Sequence, residues 1–359
     1  MVFNSIFLIF CFLPVFMLIY YLVPGKLRNL LLFLGSLIFY AWGEPVYVIL
    51  MLFSSIFNYY MGTELERLYY DDRKQKINLI FSIIINLAVL VFFKYYGFLL
   101  NTIGGIIGIH IPHPELSLPI GLSFYTFRNL SYLFDIYLSK VSAQRNFLTF
   151  AVYSTMFPYT SAGPIVRYTD IETQLKQRTI NISKFGIGAE LFVKGLAKKV
   201  LLADNLSVLY SSICGHPQMS VFTSWLGILA YTMQLYFDFS GYSDMAIGLG
   251  KMLGFDFNKN FDYPYISTSV SEFWRRWHIS LGSWFRDYIY IPLGGNRVST
   301  LKHIRNILVV WALTGLWHGA SWNFVLWGVY YGLFLLLEKF VLQKYLKKIP
   351  SWLCTVYTM

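Results

Sequence analysis

The first feature of this chain is an apolar run, residues 2–23, that contains one asparagine and no charged side chain. At 1.5 Å per residue a helix of that length reaches about 33 Å, enough to cross a hydrocarbon core of about 30 Å. Soluble domains carry about 25% charged residues, whereas here 13% of 359 residues are charged and 56% are hydrophobic. Further apolar runs follow at 27–42, 45–61, 77–100 and 116–137. The sequence therefore predicts an all-α polytopic membrane protein.

The first apolar run is expected to remain in the chain as a membrane span and not to be cleaved as a signal peptide. It has no basic residue before it, and it is longer than the apolar core of a signal peptide. Pro24, Gly25 and Lys26 follow it without a small-residue cleavage site.

The charges of the loops between the apolar runs predict the orientation of the chain. Lysine and arginine occur in the first, third and fifth loops, whereas the second loop (43–45) and the fourth loop (101–115) contain neither. Because basic loops stay in the cytoplasm, the alternation places the N-terminus outside. The basic residues that carry this argument are Lys26, Arg28, Arg67, Arg73, Lys74, Lys76, Lys140 and Arg145.

Beyond residue 146 ionisable residues interrupt the apolar pattern. Runs at 185–209 and 221–252 have helical character but contain lysines and aspartates, and residues 273–293 are too polar for a span that faces lipid. Such a segment is tolerated at membrane depth only when it is buried in protein or lines a watery cavity. Two clear apolar stretches, 304–317 and 322–337, complete the pattern. We expect roughly eight to ten transmembrane or re-entrant helices, without a linker between domains.

Ionisable groups inside apolar runs mark candidate sites, because a charge in lipid costs at least about 2.5 kcal/mol. The segment FDFSGYSDMAIG places Asp238, Ser240, Ser243 and Asp244 within one run. These side chains could hold helices together by hydrogen bonds, or they could contact a substrate. Both interpretations stay open at this point.

His278 follows two arginines and a tryptophan in the segment EFWRRWHISL. If the segment is one helix, the spacing predicts that Trp274, His278 and Phe285 lie near one face. The histidine by itself is as compatible with packing as with function.

His318 lies in the segment TGLWHGASW, between two apolar stretches, where no aqueous loop surrounds it. Gly315 and Gly319 are expected to leave small surfaces beside it, as close approach of a substrate requires. The presence of both histidines in one chain favours a functional role over packing.

Motifs of several other function classes are absent from the sequence. It contains no G-x-S-x-G elbow, no nucleotide-binding P-loop and no H-E-x-x-H. Cys11, Cys214 and Cys354 are scattered, so neither a disulfide framework nor a metal site is predicted. The net charge of +11 could indicate nucleic-acid binding, but the basic residues flank apolar runs and no nucleic-acid partner is expected.

A series of segments runs in order from residue 7 to about 328. They are FLPVFMLIYYLVP, LRNLLLFLGSLIFYAWGEP, GLSFYTFRNLSYLFDIY, AGPIVRY, LAKKVLLADNL, YFDFSGYSDMAIGLGKMLGF, NFDYPYISTSVSEFWRRWHISLGSWFRDYIYIPLGGNR and TGLWHGASWNFVLWG. The series resembles the membrane-bound O-acyltransferases, in the branch of alginate and peptidoglycan O-acetyltransferase membrane subunits. The ending YIPLGGNR, residues 290–297, favours this branch over the related D-alanyl transferase for teichoic acid.

The resemblance implies a fold of many tilted helices around a central funnel in a bacterial plasma membrane. It implies acetyl-CoA as the cytoplasmic donor substrate, no tightly bound cofactor, and an exported SGNH-like acetyltransferase as partner. The implied activity is O-acyl transfer, which passes an acetyl group toward an extracytoplasmic acceptor for polysaccharide O-acetylation. Relatives carry further C-terminal spans, so residues 1–359 are expected to form a single transmembrane domain that lacks them.

The family's two catalytic histidines match His318, in the LWHGASW context, and His278, after WRRW. A neutral imidazole at His318 could remove the proton from an acceptor hydroxyl, or it could take the acetyl group itself. His278 would then orient the donor or stabilise charge on the reacting carbonyl. The residues predicted to bind substrate are Trp274, Arg275, Arg276, Trp317, Ser243 and Asp244.

Three alternatives stay open. The chain could transfer D-alanine to teichoic acid, or it could be a transporter in which Asp238, Asp244 and the histidines form a proton or substrate path. Paired discontinuous helices in two related halves, which many transporters contain, are not visible in the sequence. A third alternative is an inactive scaffold that recruits the outer partner and tolerates loss of both histidines.

Overall fold

The structure of the protein, a computed structural model, describes residues 3–216 and 219–359. Within these ranges the chain forms helices and no β-strand, which confirms the all-α prediction for the described residues. The helices are α1 Leu13–Leu22, α2 Arg28–Ala41, α3 Val48–Arg67, α4 Asp72–Ile107, α5 Leu122–Tyr137, α6 Phe147–Thr155, α7 Tyr168–Lys176, α8 Ile182–Ala197, α9 Asp204–Cys214, α10 Val221–Met252, α11 Val270–Arg276, α12 Ile279–Phe285, α13 Thr300–His318, α14 Trp322–Leu337, α15 Gln343–Leu346 and α16 Ser351–Thr358. Short π-helical stretches adjoin some of them, at Leu8–Phe12, Lys198–Ala203, Arg286–Tyr290 and Glu338–Leu342.

Three helical segments are long and apolar enough to cross a membrane: Val48–Arg67, Asp72–Ile107 and Trp322–Leu346. A shorter apolar helix, Leu8–Leu22, falls within the first predicted run, of which Val2 lies outside the described residues. These segments agree with the prediction of a membrane protein. The count of eight to ten spans and the central funnel stay predictions.

The chain divides into two compact units, and the first comprises residues 1–56 and 144–259. In this unit α8 and α10 cross at very short range because glycines on both helices face each other. A Cβ added to Gly195 would lie 2.5 Å from the carbonyl oxygen of Gly241, and one added to Gly188 would lie 2.6 Å from that of Gly248. Small residues at such crossings allow backbones to approach closely, which is a common way for membrane helices to associate.

Polar contacts fix the N-terminal helices of the first unit. The Tyr20 hydroxyl on α1 donates to the Leu253 carbonyl at 2.8 Å and accepts from Arg178 Nε at 2.8 Å. The same guanidinium donates to Asn29 Oδ1 on α2 at 2.8 Å. These bonds join α1 and α2 to the segments that follow α7 and α10.

The second unit comprises residues 57–143 and 260–359. The indole N–H of Trp284 on α12 donates to the Phe127 carbonyl on α5 at 3.0 Å. The Tyr288 hydroxyl donates to the buried Asp135 carboxylate, also on α5, at 2.8 Å. The polar segment that contains α12 is thus packed against α5, as expected for a segment unsuited to lipid.

The segment around His278 is not one continuous helix. α11 ends two residues before His278, and α12 begins directly after it. His278 itself has a φ of +46°, a left-handed conformation that does not occur inside a right-handed α-helix. The prediction that Trp274, His278 and Phe285 share a helical face is therefore wrong. Phe285 and the other two side chains nevertheless line one cavity in this unit.

Candidate active site

The backbone of His278 is held in its left-handed conformation by Asn260. The Asn260 carbonyl accepts the Ile279 N–H at 2.9 Å, and its side-chain oxygen accepts the Ser280 hydroxyl at 2.8 Å. The His278 side chain is 3% exposed. A non-glycine residue in this conformation is costly unless its surroundings enforce it, and such residues cluster at functional sites.

His318 is the last residue of α13, directly before the turn into α14. The two helices pack so closely that a Cβ on Gly315 would collide with the Phe324 carbonyl oxygen, and one on Gly319 would collide with the Phe324 ring. The prediction that these glycines leave room for a substrate is therefore wrong, because α14 occupies the space. They allow the tight hairpin that places His318 at its tip.

The indole ring of Trp317 contacts both histidines. Its centroid lies 5.8 Å from the centroid of His278 and 4.9 Å from that of His318. The centroid of the His318 ring also lies 5.0 Å from that of Trp327, edge to face. The structure thus brings together two imidazoles that are 40 positions apart in the sequence, with one aromatic ring in contact with both.

Both histidines line a cavity of about 860 Å³ in the second unit. Its volume falls in the range of small-molecule sites, about 300–1,000 Å³. Trp274 and Arg275, two of the residues predicted to bind substrate, also line it. The cavity therefore offers both imidazoles to a single bound molecule.

The charged residues on the wall of this cavity are predominantly basic. One carboxylate, that of Glu338, stands among its described lining residues. The basic side chains of the lining, the histidines apart, are Arg275, Arg286, Lys339 and Lys347. Such a wall favours a ligand that carries negative charge.

Trp274 is part of an aromatic cluster beside His318. Its ring lies 4.9 Å from Trp311, 5.6 Å from Trp327 and 4.9 Å from Tyr331, each edge to face. Edge-to-face pairs of this kind add rigidity and packing energy. Trp274 therefore has a packing role in addition to its place on the cavity wall.

Arg276, another predicted substrate-binding residue, does not line the cavity. Its guanidinium pairs with the Glu272 carboxylate at 2.8 Å and with the Asp262 carboxylate at 3.5 Å. Glu272 also accepts the Thr268 N–H at 2.9 Å, and this bond ties the residue before the N-cap of α11 to the first turn of the helix. The contacts assign Arg276 a structural role at this turn, and its predicted part in substrate binding has no support from them.

These contacts predict a pH dependence of stability. The pKa of Glu272 is lowered from 4.5 to about 2. The main cause is the hydrogen bond from the Thr268 N–H, and the bonds from the Thr268 hydroxyl and from Arg276 lower the pKa further, whereas burial raises it. A depressed folded-state pKa stabilises the protein above pH 4.5, and this contribution is lost as the pH falls toward 2. Glu272→Gln should therefore lower the melting temperature at pH 7, and the difference from the unmodified protein should shrink between pH 5 and pH 3. A difference that stays constant over this range would contradict the assignment.

Ser243 and Asp244 lie on α10 in the first unit and do not line the cavity. The Asp244 carboxylate pairs with Lys198 at 2.6 Å, and nearby Asp238 pairs with Lys199 at 2.7 Å. Ser243 is 1% exposed. The bonds agree with the alternative in which this polar patch holds helices together, and a role in substrate binding stays a prediction.

Glu338 was not identified from the sequence, although it is a carboxylate directly after an apolar stretch. It is 2% exposed and accepts the N–H groups of Val270 and Ser271 at 2.9 and 2.8 Å. A carboxylate at the N-terminus of a helix satisfies backbone donors that otherwise have no partner. Glu338 thus anchors α11, which carries Trp274 and Arg275, and only the tertiary structure shows this contact.

The sequence analysis also does not single out Lys94 as a candidate site residue. It lies in α4, within the apolar run 77–100, and its Nζ donates to the carbonyl oxygen of Trp317. A lysine inside an apolar run is the signal that could have found it.

Comparison with known proteins places these features in a family context. The model of the membrane-bound O-acyltransferase family matches residues 46–348 of the chain. The chain is 44% identical to a probable alginate O-acetylase of Pseudomonas aeruginosa, over 94% of its own length and 66% of that protein. It is also 44% identical to a probable alginate O-acetylase of Azotobacter vinelandii, over 94% of its length and 69% of that protein.

A peptidoglycan O-acetyltransferase of Helicobacter pylori is 34% identical, over 99% of this chain and 75% of that protein. The chain thus spans about two thirds of the length of the alginate relatives that it matches. The matched region contains both histidines and all the residues that line the cavity up to Lys347.

Proposed function

This chain belongs to the membrane-bound O-acyltransferase family, and on that premise we propose that it passes an acetyl group from cytoplasmic acetyl-CoA toward an extracytoplasmic acceptor. The acceptor is a cell-surface polysaccharide of the alginate or peptidoglycan type, reached directly or through an exported partner. The observation that carries the proposal is the cavity lined by His278 and His318, with Trp317 in contact with both rings. The names of the relatives support the acetyl group and the polysaccharide.

In the proposed reaction His318 acts as the general base. The acceptor hydroxyl attacks the thioester carbonyl carbon while its proton moves to the neutral imidazole. The tetrahedral intermediate then collapses, the carbon–sulfur bond breaks, and the imidazolium returns the proton to the leaving CoA thiolate. His278 donates a hydrogen bond to the carbonyl oxygen as negative charge develops on it.

A covalent route uses the same residues. A neutral imidazole nitrogen of His318 attacks the thioester carbonyl, the carbon–sulfur bond breaks, and the N–H proton of the acylated ring passes to the CoA thiolate, which leaves as the thiol. The acceptor hydroxyl then attacks the acetyl-imidazole, the carbon–nitrogen bond breaks, and the hydroxyl proton returns to the imidazole. Both routes require an imidazole that is neutral when the donor binds.

The basic residues on the cavity wall support a donor with phosphate groups. Arg275, Arg286, Lys339 and Lys347 supply positive charge that suits the phosphates of CoA. The thioester end would then reach the histidines, and the phosphates would remain among the basic residues.

The membrane arrangement belongs to the same proposal. The alternation of basic and uncharged loops supports a multi-pass protein of the bacterial plasma membrane with its N-terminus outside. Eight to ten spans or re-entrant helices around a funnel would connect the donor side with the acceptor side. An SGNH-like acetyltransferase outside the membrane would receive the acetyl group or complete its transfer.

Acetyl-CoA cleavage is the direct test of the proposed activity. Purified protein in detergent should release free CoA thiol from acetyl-CoA that carries a labelled acetyl group, and the label should appear on the protein or on an added polysaccharide. A transporter would leave the thioester intact. If acetyl-CoA is neither bound nor cleaved while the purified protein is folded, the acetyl donor is wrong and D-alanyl transfer becomes the better candidate.

A further inference from the structure

A lysine lies in the middle of the longest candidate span. Lys94 is on α4, Asp72–Ile107, and its side chain is partly buried. Among the described residues no carboxylate pairs with its ammonium group. A charged side chain in a span is expensive and is, as a rule, functional.

The contacts of Lys94 lead directly to the candidate active site. Its Nζ donates to the carbonyl oxygen of Trp317 and lies 5.4 Å from the centroid of the Trp317 ring. The next residue on α4, Tyr95, donates its hydroxyl to the Leu316 carbonyl at 2.7 Å. Two successive residues of α4 therefore bind two successive carbonyl groups at the C-terminal end of α13.

The last carbonyl groups of a helix have no partner within the helix, and a cation is favoured there by the helix dipole. Tyr95 meets one of these carbonyls with a neutral hydroxyl. Lys94 meets the next with a positive charge, and it also contacts the ring of the same residue. The cation–ring contact is the feature that simple capping does not require.

From these contacts we propose that Lys94 is a positioning residue for the acyl-transfer site. Its ammonium group holds both the backbone and the indole of Trp317, and so it fixes the ring that contacts His278 and His318. The inference rests on the proposed acyl transfer. Lys94 does not line the cavity, so it acts through Trp317 and not on the substrate.

The test compares three variants of Lys94 with one matched control. Lys94→Met removes the charge and the donor at nearly constant size, Lys94→Gln keeps a donor without charge, and Lys94→Arg keeps both. Tyr95→Phe removes the neighbouring hydrogen bond to α13 and serves as the control. The rate of CoA release is measured as a function of acetyl-CoA concentration for each purified protein, and the melting temperature of every variant is recorded.

We expect Lys94→Met to lower kcat by about 10²-fold, the effect of a small misplacement of catalytic groups, with KM changed less than about twofold. Lys94→Gln should show a similar loss, Lys94→Arg should recover most of the rate, and Tyr95→Phe should stay close to the unmodified protein. Equal losses of kcat in Lys94→Met and Tyr95→Phe would show that Lys94 only caps α13. Failure of folded Lys94→Arg to recover activity would show that a cation at this position does not hold the ring, and either result overturns the inference. Absence of CoA release from the unmodified protein would instead count against the proposed function itself.

Discussion

Replacement of His318 with alanine is expected to lower acyl transfer by at least about 10²-fold, because a positioned general base contributes about 10²–10⁴-fold to a rate. The loss should be larger if the imidazole carries the acetyl group, since the covalent route would then disappear. The measurement is the ester-linked acetate of cell-surface polysaccharide in cells whose only copy of the gene carries the substitution. The amount of protein in the membrane is determined in parallel by immunoblot.

His110→Ala is the matched control for this substitution. His110 is exposed, lies in the segment after α4 and does not line the cavity that contains His278 and His318. The control should leave polysaccharide acetylation unchanged, so that a general effect of losing a histidine is excluded. Full acetylation by the His318 variant, at normal abundance, would remove this residue from the proposed mechanism.

Gly195→Ala is expected to lower the free energy of unfolding by about 1–3 kcal/mol, the range for an added group in a tightly packed site. The new Cβ would lie 2.5 Å from the carbonyl oxygen of Gly241 and 2.7 Å from the backbone nitrogen of Met245. Backbone atoms cannot rotate away as a side chain can, so α8 and α10 would have to separate. The melting temperature in detergent measures the effect.

Gly186→Ala tests the same change on the same helix without the crowding. An added Cβ at Gly186 meets no atom within 4 Å, and the position is exposed. The substitution should be neutral or slightly stabilising, because alanine favours helix more than glycine does. Equal melting temperatures for the two variants would show that the α8–α10 crossing is looser than the structure indicates.

The helical segments followed from the sequence wherever apolar residues were continuous. The predicted run 221–252 is α10 and the predicted stretch 322–337 is α14, with the same bounds. The run 116–137 is helical only from Leu122, because the residues before it belong to a loop that contains Pro119. Hydropathy identifies the apolar segments, but local residues such as proline determine where each helix begins and ends.

The sequence motifs single out candidate site residues, but they do not show the geometry in which these residues meet. The sequence points to His278 and His318 as a pair, and the structure places both on one cavity with Trp274 and Arg275. Their catalytic roles stay predictions. Helical periodicity was the wrong guide around His278, because a left-handed residue breaks the helix there. A sequence pattern assumes regular backbone, and active sites often depart from it.

The amino-acid sequence by itself determined the membrane class and the helical character, because these depend on hydrophobicity. Its local motifs also single out His278 and His318 as candidate site residues. Only the tertiary structure decided which polar groups meet. Glu338 caps a helix that begins 68 positions earlier, and Lys94 reaches a carbonyl group 223 positions later. Contacts over such separations depend on how the helices pack in space. The spacing of residues along one helix does not show which other helices lie beside it.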